Sequence, residues 1–131
     1  MDTPQPPTPT LVPAPMDGDS ALSPAINVTL SATGSRSFQY SSDISSPDGD
    51  NEDWIQFTPF TQMTLFSLDC FGNGTPTLEV LQNNITAQNL TCGEKVVVNT
   101  TPGNTYLVHI KSNSTGGLQY AQFTLQVVSI P

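Results

Sequence analysis

The sequence predicts an all-β protein: an antiparallel β-sandwich, jelly-roll-like, with about eight strands. Apolar and polar residues alternate with a period of two in several segments, as in strands that have one buried and one wet face. In one such segment Tyr106, Val108 and Ile110 fall on one face, with Leu107, His109 and Lys111 on the other. Turn residues separate the segments at short intervals, and no segment shows a sustained helical period. These features are typical of a sandwich.

Residues 1–24 contain seven of the twelve prolines. Proline fixes φ and removes a backbone donor, so this tract cannot join a sheet interior. We therefore predict an extended, semi-rigid linker over 1–24 and the sandwich domain over 25–131. A proline-rich signalling ligand is disfavoured, because no basic residue flanks the tract.

From about residue 25 the composition changes to short strands and turns. The predicted strands are 26–31, 36–41, 53–58, 63–69, 77–81, 95–99, 105–112 and 119–128. The predicted turns contain Ser-Pro-Asp-Gly at 46–49, Gly-Asn-Gly at 72–74, Pro-Gly-Asn at 102–104 and Gly-Gly at 116–117.

The 131 residues suffice for one domain with one core. Only Arg36, Lys95 and Lys111 are basic, against eleven carboxylates, and the net charge is −8. Such a surface repels phosphate backbones and anionic lipid, so nucleic acid is excluded as a partner. No apolar run is long enough for membrane insertion. Cations, glycans and neutral protein surfaces remain as partners.

The two cysteines, Cys70 and Cys92, belong to no CxxC pair. In an oxidising compartment a disulfide is the natural interpretation, and the alternative is two buried free thiols. No signal peptide is visible after Met1. We therefore expect the chain to be excised from a larger secreted or cell-surface polypeptide whose signal was lost with the parent's N-terminus.

An acidic turn at 48–53 is the sharpest local signal for a ligand. Asp48, Asp50 and Asp53 lie close together beside Gly49. Calcium takes six to eight oxygen ligands, and clustered carboxylates can supply several of them. The spacing is not that of an EF-hand. The alternative is a solvated acidic turn between two strands.

Four segments carry a family resemblance: 53–57 (DWIQF), 62–68 (QMTLFSL), 102–110 (PGNTYLVHI) and 120–125 (YAQFTL). Together they resemble the bacterial pre-peptidase C-terminal domain, a β-sandwich appended to secreted peptidases and related to the collagen-binding domains of clostridial collagenases. The resemblance implies an accessory role in substrate or matrix binding, stabilisation or secretion.

The same resemblance implies a calcium site between an N-terminal acidic segment and the turn before the aromatic strand. Asp50 and Asp53 match that turn. The N-terminal segment here is Asp17-Gly18-Asp19-Ser20, which departs from the Glu-x-Asn-Asp-like pattern of the family. The expected metal ligands are therefore Asp17, Asp19, Asp48, Asp50 and Asp53.

An enzyme is the least favoured class. The lone His109 lies in the middle of a predicted strand, where an exposed strand residue is expected, and no Gly-x-Ser-x-Gly elbow accompanies it. A pair of acid-turn carboxylates could serve a glycosidase only inside a cleft, which one small sandwich rarely forms.

Trp54, Tyr40 and Tyr120 are the candidates for an exposed aromatic platform that binds sugar. The favoured alternative is that all three close the core. Six Asn-x-Ser/Thr triplets begin at Asn27, Asn73, Asn84, Asn89, Asn99 and Asn113. They are glycan acceptors in a eukaryotic secretory route or, as we prefer, by-products of an Asn/Thr-rich surface.

The sequence thus favours a non-catalytic accessory domain that binds an extracellular protein or polysaccharide surface, with calcium as a possible ligand. The alternatives are a carbohydrate-binding module and a subunit of a surface layer or filament that self-associates through edge strands.

Overall fold

A computed structural model describes residues 13–16, 18–46, 48–112 and 117–131. These ranges contain nine strands and no helix, and hence no helix long and apolar enough to cross a membrane. The strands are β1 (Ile26–Thr29), β2 (Ser37–Ser46), β3 (Glu52–Thr58), β4 (Met63–Gly72), β5 (Thr77–Gln82), β6 (Ile85–Thr91), β7 (Lys95–Asn99), β8 (Tyr106–Lys111) and β9 (Gln119–Ile130).

The strands form two sheets packed face to face. The first sheet has the order β1-β3-β8-β5-β6 and the second has the order β2-β9-β4-β7. Strands β2 to β9 follow the eight-strand order of a jelly roll, in which successive strands change sheet except at the β5–β6 hairpin. The predicted sandwich is confirmed.

Strand β1 is an exception to the expected antiparallel pairing, since it runs parallel to β3. The Ala25 N–H donates to the Trp54 carbonyl at 2.8 Å, which places the start of β1 beside the start of β3. The chain then leaves this point in the same direction as β3 and forms a parallel edge strand.

Each predicted strand coincides with an observed one, but β6 was missing from the prediction. Its only large apolar residues are Ile85, which is 71% exposed, and the buried Leu90, so β6 shows no alternation. A local signal was nevertheless present. Asn83 and Asn84 both have positive φ, 53° and 63°, as a two-residue hairpin turn requires.

The core lies between the inward faces of the two sheets. Phe57 is its centre, with ring centroids 5.5 Å from Phe66 and 5.6 Å from Tyr106. Burying one large apolar side chain contributes roughly 1.5–3 kcal/mol. The buried cluster consists of Leu30, Ile44, Ile55, Phe57, Phe66, Leu68, Leu78, Val80, Leu90, Val98, Tyr106, Val108, Ile110, Phe123, Leu125 and Val127.

The described part of the predicted linker lies against the sandwich instead of standing away from it. Ala14 is only 2% exposed. Its N–H donates to Ser45 Oγ at 2.8 Å, and its carbonyl accepts the Asp50 N–H at 3.0 Å. Ala14 stands between two prolines and provides the donor that proline lacks. Residues 1–12 and Asp17 lie outside the described residues.

Cys70 and Cys92 form a disulfide, with Cα atoms 5.5 Å apart. Cys70 lies in β4 and Cys92 follows β6, at the connection that crosses to β7. The bond therefore joins β4 of the second sheet to the connection that leaves the first sheet, and the predicted pairing is confirmed.

Candidate functional site

Three carboxylates from separate parts of the chain meet at the start of β3. Asp19 belongs to the N-terminal segment, Asp50 to the β2–β3 turn and Asp53 to β3. One oxygen of each lies within 4.8 Å of the others. Asp53 is 0% exposed and Asp50 is 4% exposed. We call these three residues the acidic cluster.

The backbone around the cluster is closely packed, and this packing sets its geometry. Gly49 has φ +88°, and a Cβ at this position would lie within 2.7 Å of Ser45, Ala14 and Pro13 atoms. Only glycine fits this turn. The Ser45 hydroxyl donates to the Asp48 carbonyl at 2.6 Å, and the Ser45 N–H donates to the Asp50 carbonyl at 2.8 Å.

Asp19 is fixed by the strand that carries Asp53. Its Oδ2 accepts the backbone N–H of Trp54 at 2.5 Å. Farther along the N-terminal segment, the Ala25 N–H donates to the Trp54 carbonyl at 2.8 Å. The backbone N–H and carbonyl of Trp54 thus both hold the N-terminal segment, and Asp19 is placed beside Asp50 and Asp53.

The donor set of the acidic cluster fits one calcium ion. Calcium–oxygen bonds of about 2.4 Å place two ligands of one ion no more than about 4.8 Å apart, which is the limit within which these oxygens lie. If two of these carboxyls are ionised, their charges lie within 4.8 Å and repel by at least about 3 kcal/mol at an effective dielectric constant of about 20. A divalent cation would turn that repulsion into attraction, and carbonyls and water would complete the ligand set.

Of the other predicted ligands, Asp48 is exposed in the same turn and does not belong to the acidic cluster. Its backbone carbonyl, rather than its carboxylate, contacts the rest of the turn. Asp17 lies outside the described residues. The structure therefore brings together three of the five predicted ligands, one from the N-terminal segment and two from the acidic turn.

His109 is buried, contrary to the exposed position expected from the sequence. It lies on the outward face of β8, but the ring of Trp54 on β3 stacks on it, with centroids 3.8 Å apart and an interplanar angle of 8°. Its relative exposure is 8%. The reason is the register, in which Trp54 and His109 are direct partners.

Both ring nitrogens of His109 contact carboxylates. Nε2 lies 2.8 Å from Glu52 Oε2, and Nδ1 lies 3.1 Å from Glu79 Oε1. The hydrogen bond with His109 is the main reason why the pKa of Glu79 lies below its usual value. The sequence analysis missed Glu52 and Glu79, because only the pairing of β3, β8 and β5 brings them to His109.

The three candidate platform aromatics have different positions. Tyr40 packs against the core, its ring centroid 6.0 Å from that of Phe123. Trp54 has one ring face covered by His109. Tyr120 lies on the outward face of β9, where its hydroxyl donates to Asp43 Oδ2 at 2.7 Å. The expectation that all three close the core holds only for Tyr40.

No family model matches the sequence, and no curated protein matches it. Among solved structures, the fold is similar to that of PliG from Aeromonas hydrophila, described as a periplasmic lysozyme inhibitor of g-type lysozyme. The TM-score is 0.49 and the identity is 12%, over 79% of this chain and 99% of that chain. A likeness of this extent leaves the function to be argued from the residues themselves.

Proposed function

We propose that this chain is a non-catalytic accessory module of a secreted or cell-surface protein, in which calcium fixes the N-terminal segment to the sandwich. Asp19, Asp50 and Asp53 hold the ion. The observation that carries the proposal is the convergence of three carboxylates from three segments, two of them buried. A pre-peptidase C-terminal-like module would use such a site in the same place.

The chemistry of the described residues supports binding rather than catalysis. Both nitrogens of His109 are engaged by carboxylates, so neither is paired with a hydroxyl or thiol nucleophile among the described residues. Both cysteines form the disulfide, so neither is a thiol nucleophile. The triad logic of nucleophilic catalysis needs a nucleophile hydrogen-bonded to its base.

The disulfide also supports the proposed location. Disulfides persist in oxidising compartments, such as the cell exterior and the periplasm, and are rare where thiols are kept reduced. The polar surface consists mainly of uncharged residues, because charged residues make up only 11% of the chain.

Calcium would have a mechanical role here. The ion would bridge the N-terminal segment, the β2–β3 turn and β3, and would offset the mutual repulsion of the acidic cluster. A rigid N-terminal segment would set the orientation of the sandwich relative to whatever precedes it in a longer chain. Rigid tethering raises the effective concentration of a second binding or catalytic unit at a surface.

Thermal unfolding with excess EDTA and then with about 10–100 mM CaCl₂ tests the site. Extracellular calcium sites have dissociation constants of about 0.1–1 mM. At one hundred times that constant, binding to the folded state alone adds about 2.7 kcal/mol. For a domain of this size we expect the Tm to rise by about 10 °C. Terbium luminescence sensitised by Trp54, the single tryptophan, reports occupancy directly, since Trp54 adjoins Asp53.

The matched variants are Asp53→Asn, inside the acidic cluster, and Asp48→Asn, the exposed aspartate of the same turn. Asp53→Asn should abolish both the Tm response and the terbium signal, whereas Asp48→Asn should keep both. If calcium leaves the wild-type Tm unchanged, or if both variants respond alike, the cluster is not a calcium site.

A further inference from the structure

The outward face of the second sheet is divided into two halves by the strand registers. In one half, Leu65 of β4 is paired with Val97 of β7 and Val128 of β9, so this half is apolar. In the other half the rows across β2, β9 and β4 are polar except for Phe71. They read Asp43–Gln122–Phe71, Ser41–Thr124–Asp69 and Gln39–Gln126–Ser67. We call this second half the polar face.

The polar face carries two aromatic residues at the same end. Phe71 is 79% exposed, so its ring is open to a ligand from solvent. Tyr120 lies diagonally across from it, because Gly72 is the direct partner of Ala121 and Phe71 that of Gln122. Diagonal neighbours on adjacent strands are about 7–8 Å apart. Because the Tyr120 hydroxyl reaches Asp43 on β2, a ligand that touches both rings must extend across β9.

The backbone holds these two aromatics in place. The Tyr120 N–H donates to Asn73 Oδ1 at 2.8 Å, and the Gly74 N–H donates to the Tyr120 carbonyl at 3.1 Å. Gly72 has φ +126° and approaches the Tyr120 carbonyl so closely that a Cβ would clash with it. The Gly72-Asn73-Gly74 turn therefore fixes the backbone from which both Phe71 and Tyr120 project.

Two shallow depressions lie on the polar face and share Gln122 and Thr124 among their lining residues; together we call them the groove. One has a volume of about 410 Å³ and lies beside Ser41 and Asp43, and the other has a volume of about 170 Å³ and lies beside Asp69 and Phe71. Within the groove, the hydroxyl groups of Ser41 on β2 and Thr124 on β9 are hydrogen-bonded at 3.0 Å. The groove thus presents ordered hydroxyl, amide and carboxylate groups to solvent.

We propose that the polar face, between Phe71 and Tyr120, binds a neutral oligosaccharide. Sugar hydroxyls both donate and accept, which matches the carboxylates of Asp43 and Asp69 and the amide of Gln122. The apolar face of a sugar ring packs on an aromatic ring, which Phe71 offers. This inference rests on the proposed function, because a non-catalytic module needs a ligand surface, and it names the ligand class.

The negative charge of the polar face argues against anionic ligands. The two carboxylates of Asp43 and Asp69 and the net charge of −8 disfavour acidic glycans, phosphate and nucleic acid. A protein partner would gain more from the apolar half, where Leu65, Val97 and Val128 lie. The polar face therefore fits an uncharged, hydroxyl-rich chain best.

Affinity electrophoresis in native gels tests the proposal, with xylan, galactomannan, β-glucan and dextran as neutral probes and alginate as the anionic probe, all in CaCl₂. We expect at least one neutral polymer to retard the protein and alginate not to. Phe71→Ala should weaken that binding at least tenfold, and Tyr120→Phe should weaken it less. The matched control is Ile85→Ala, since Ile85 is 71% exposed on the other sheet, and it should bind as the wild type does.

Three results would overturn the proposal: no retardation by any neutral polymer, equal retardation of the wild type and Phe71→Ala, or binding to alginate or immobilised collagen alone. The outcome is separable from that of the calcium experiment. Asp53→Asn is expected to lose the calcium response in Tm while keeping binding that depends on Phe71, because the acidic cluster does not line the groove.

Discussion

At the scale of single residues, His109 shows how a strand position that points outward can be buried. Its ring is covered by Trp54 on one side and is hydrogen-bonded to Glu52 and Glu79 at its two nitrogens. The four residues join β3, β8 and β5 on the outside of the first sheet. Such an outer cluster stabilises the pairing of strands from the solvent side.

The lowered pKa of Glu79 predicts a pH dependence of stability. The folded protein binds this proton more weakly than the unfolded chain does. The stabilisation by Glu79 is therefore complete above its unfolded pKa of about 4.3, and it is lost as the pH falls through the lower folded pKa. Glu79→Gln should cost up to about 1 kcal/mol at neutral pH, with a difference from the wild type that shrinks below about pH 4.5.

Urea unfolding between about pH 7 and pH 3 measures this difference. The control is the same pair of proteins in a His109→Phe background, which keeps a ring against Trp54 but removes the main hydrogen bond to Glu79. In the His109→Phe background, the change in unfolding free energy caused by Glu79→Gln should depend less on pH. An equal pH dependence in both backgrounds would show that His109 is not the cause.

At the scale of elements, the turn after β4 is defined by backbone conformations that only glycine adopts readily. Gly72 combines φ +126° with a close approach to the Tyr120 carbonyl. Gly93, in the turn between β6 and β7, has φ +85° but open space around it. The two glycines therefore separate the effect of a left-handed backbone from the effect of a steric clash.

We predict that Gly72→Ala destabilises the protein more than Gly93→Ala does. Gly93→Ala adds only conformational strain, which costs about 1 kcal/mol of unfolding free energy. Gly72→Ala adds the same strain and also a clash with the Tyr120 carbonyl, so it should cost at least about 1 kcal/mol more. Urea unfolding of both variants measures the two losses. Equal losses would mean that the end of β4 moves away from β9 without resistance.

At the scale of the whole molecule, two sheets are held together by the shared core and by one covalent link. The Cys70–Cys92 bond joins β4 to the connection between β6 and β7 across a sequence separation of 22 residues. In the same region the Gly93 N–H donates to the Leu68 carbonyl at 2.7 Å. The bond thus fixes the connection at the point where the chain crosses between sheets.

We expect the Cys70→Ala/Cys92→Ala double variant to lose about 3 kcal/mol of unfolding free energy, since a loop of this length is no longer closed in the unfolded chain. The Tm should fall by about 10 °C. Far-UV circular dichroism checks that the sandwich still forms. An unchanged free energy of unfolding would show that the unfolded chain is already compact around this loop.

Most strands and turns of this fold can be predicted from local sequence patterns. Alternation in segments such as Tyr106–Lys111 and glycine- or proline-containing turns predict strands without knowledge of their neighbours. The prediction missed β6 because an exposed edge strand needs no alternation, although its Asn83-Asn84 turn was a local signal. The acidic turn at 48–53 was visible for the same reason, since its members adjoin in the chain.

The sequence by itself thus determined the class of fold, the existence of most strands and the acidic turn. The tertiary structure decided which distant residues meet. It placed Asp19 beside Asp50 and Asp53, Trp54 over His109, and Phe71 diagonally across from Tyr120. Such meetings depend on strand order and register, which follow from the packing of the whole core rather than from any local pattern.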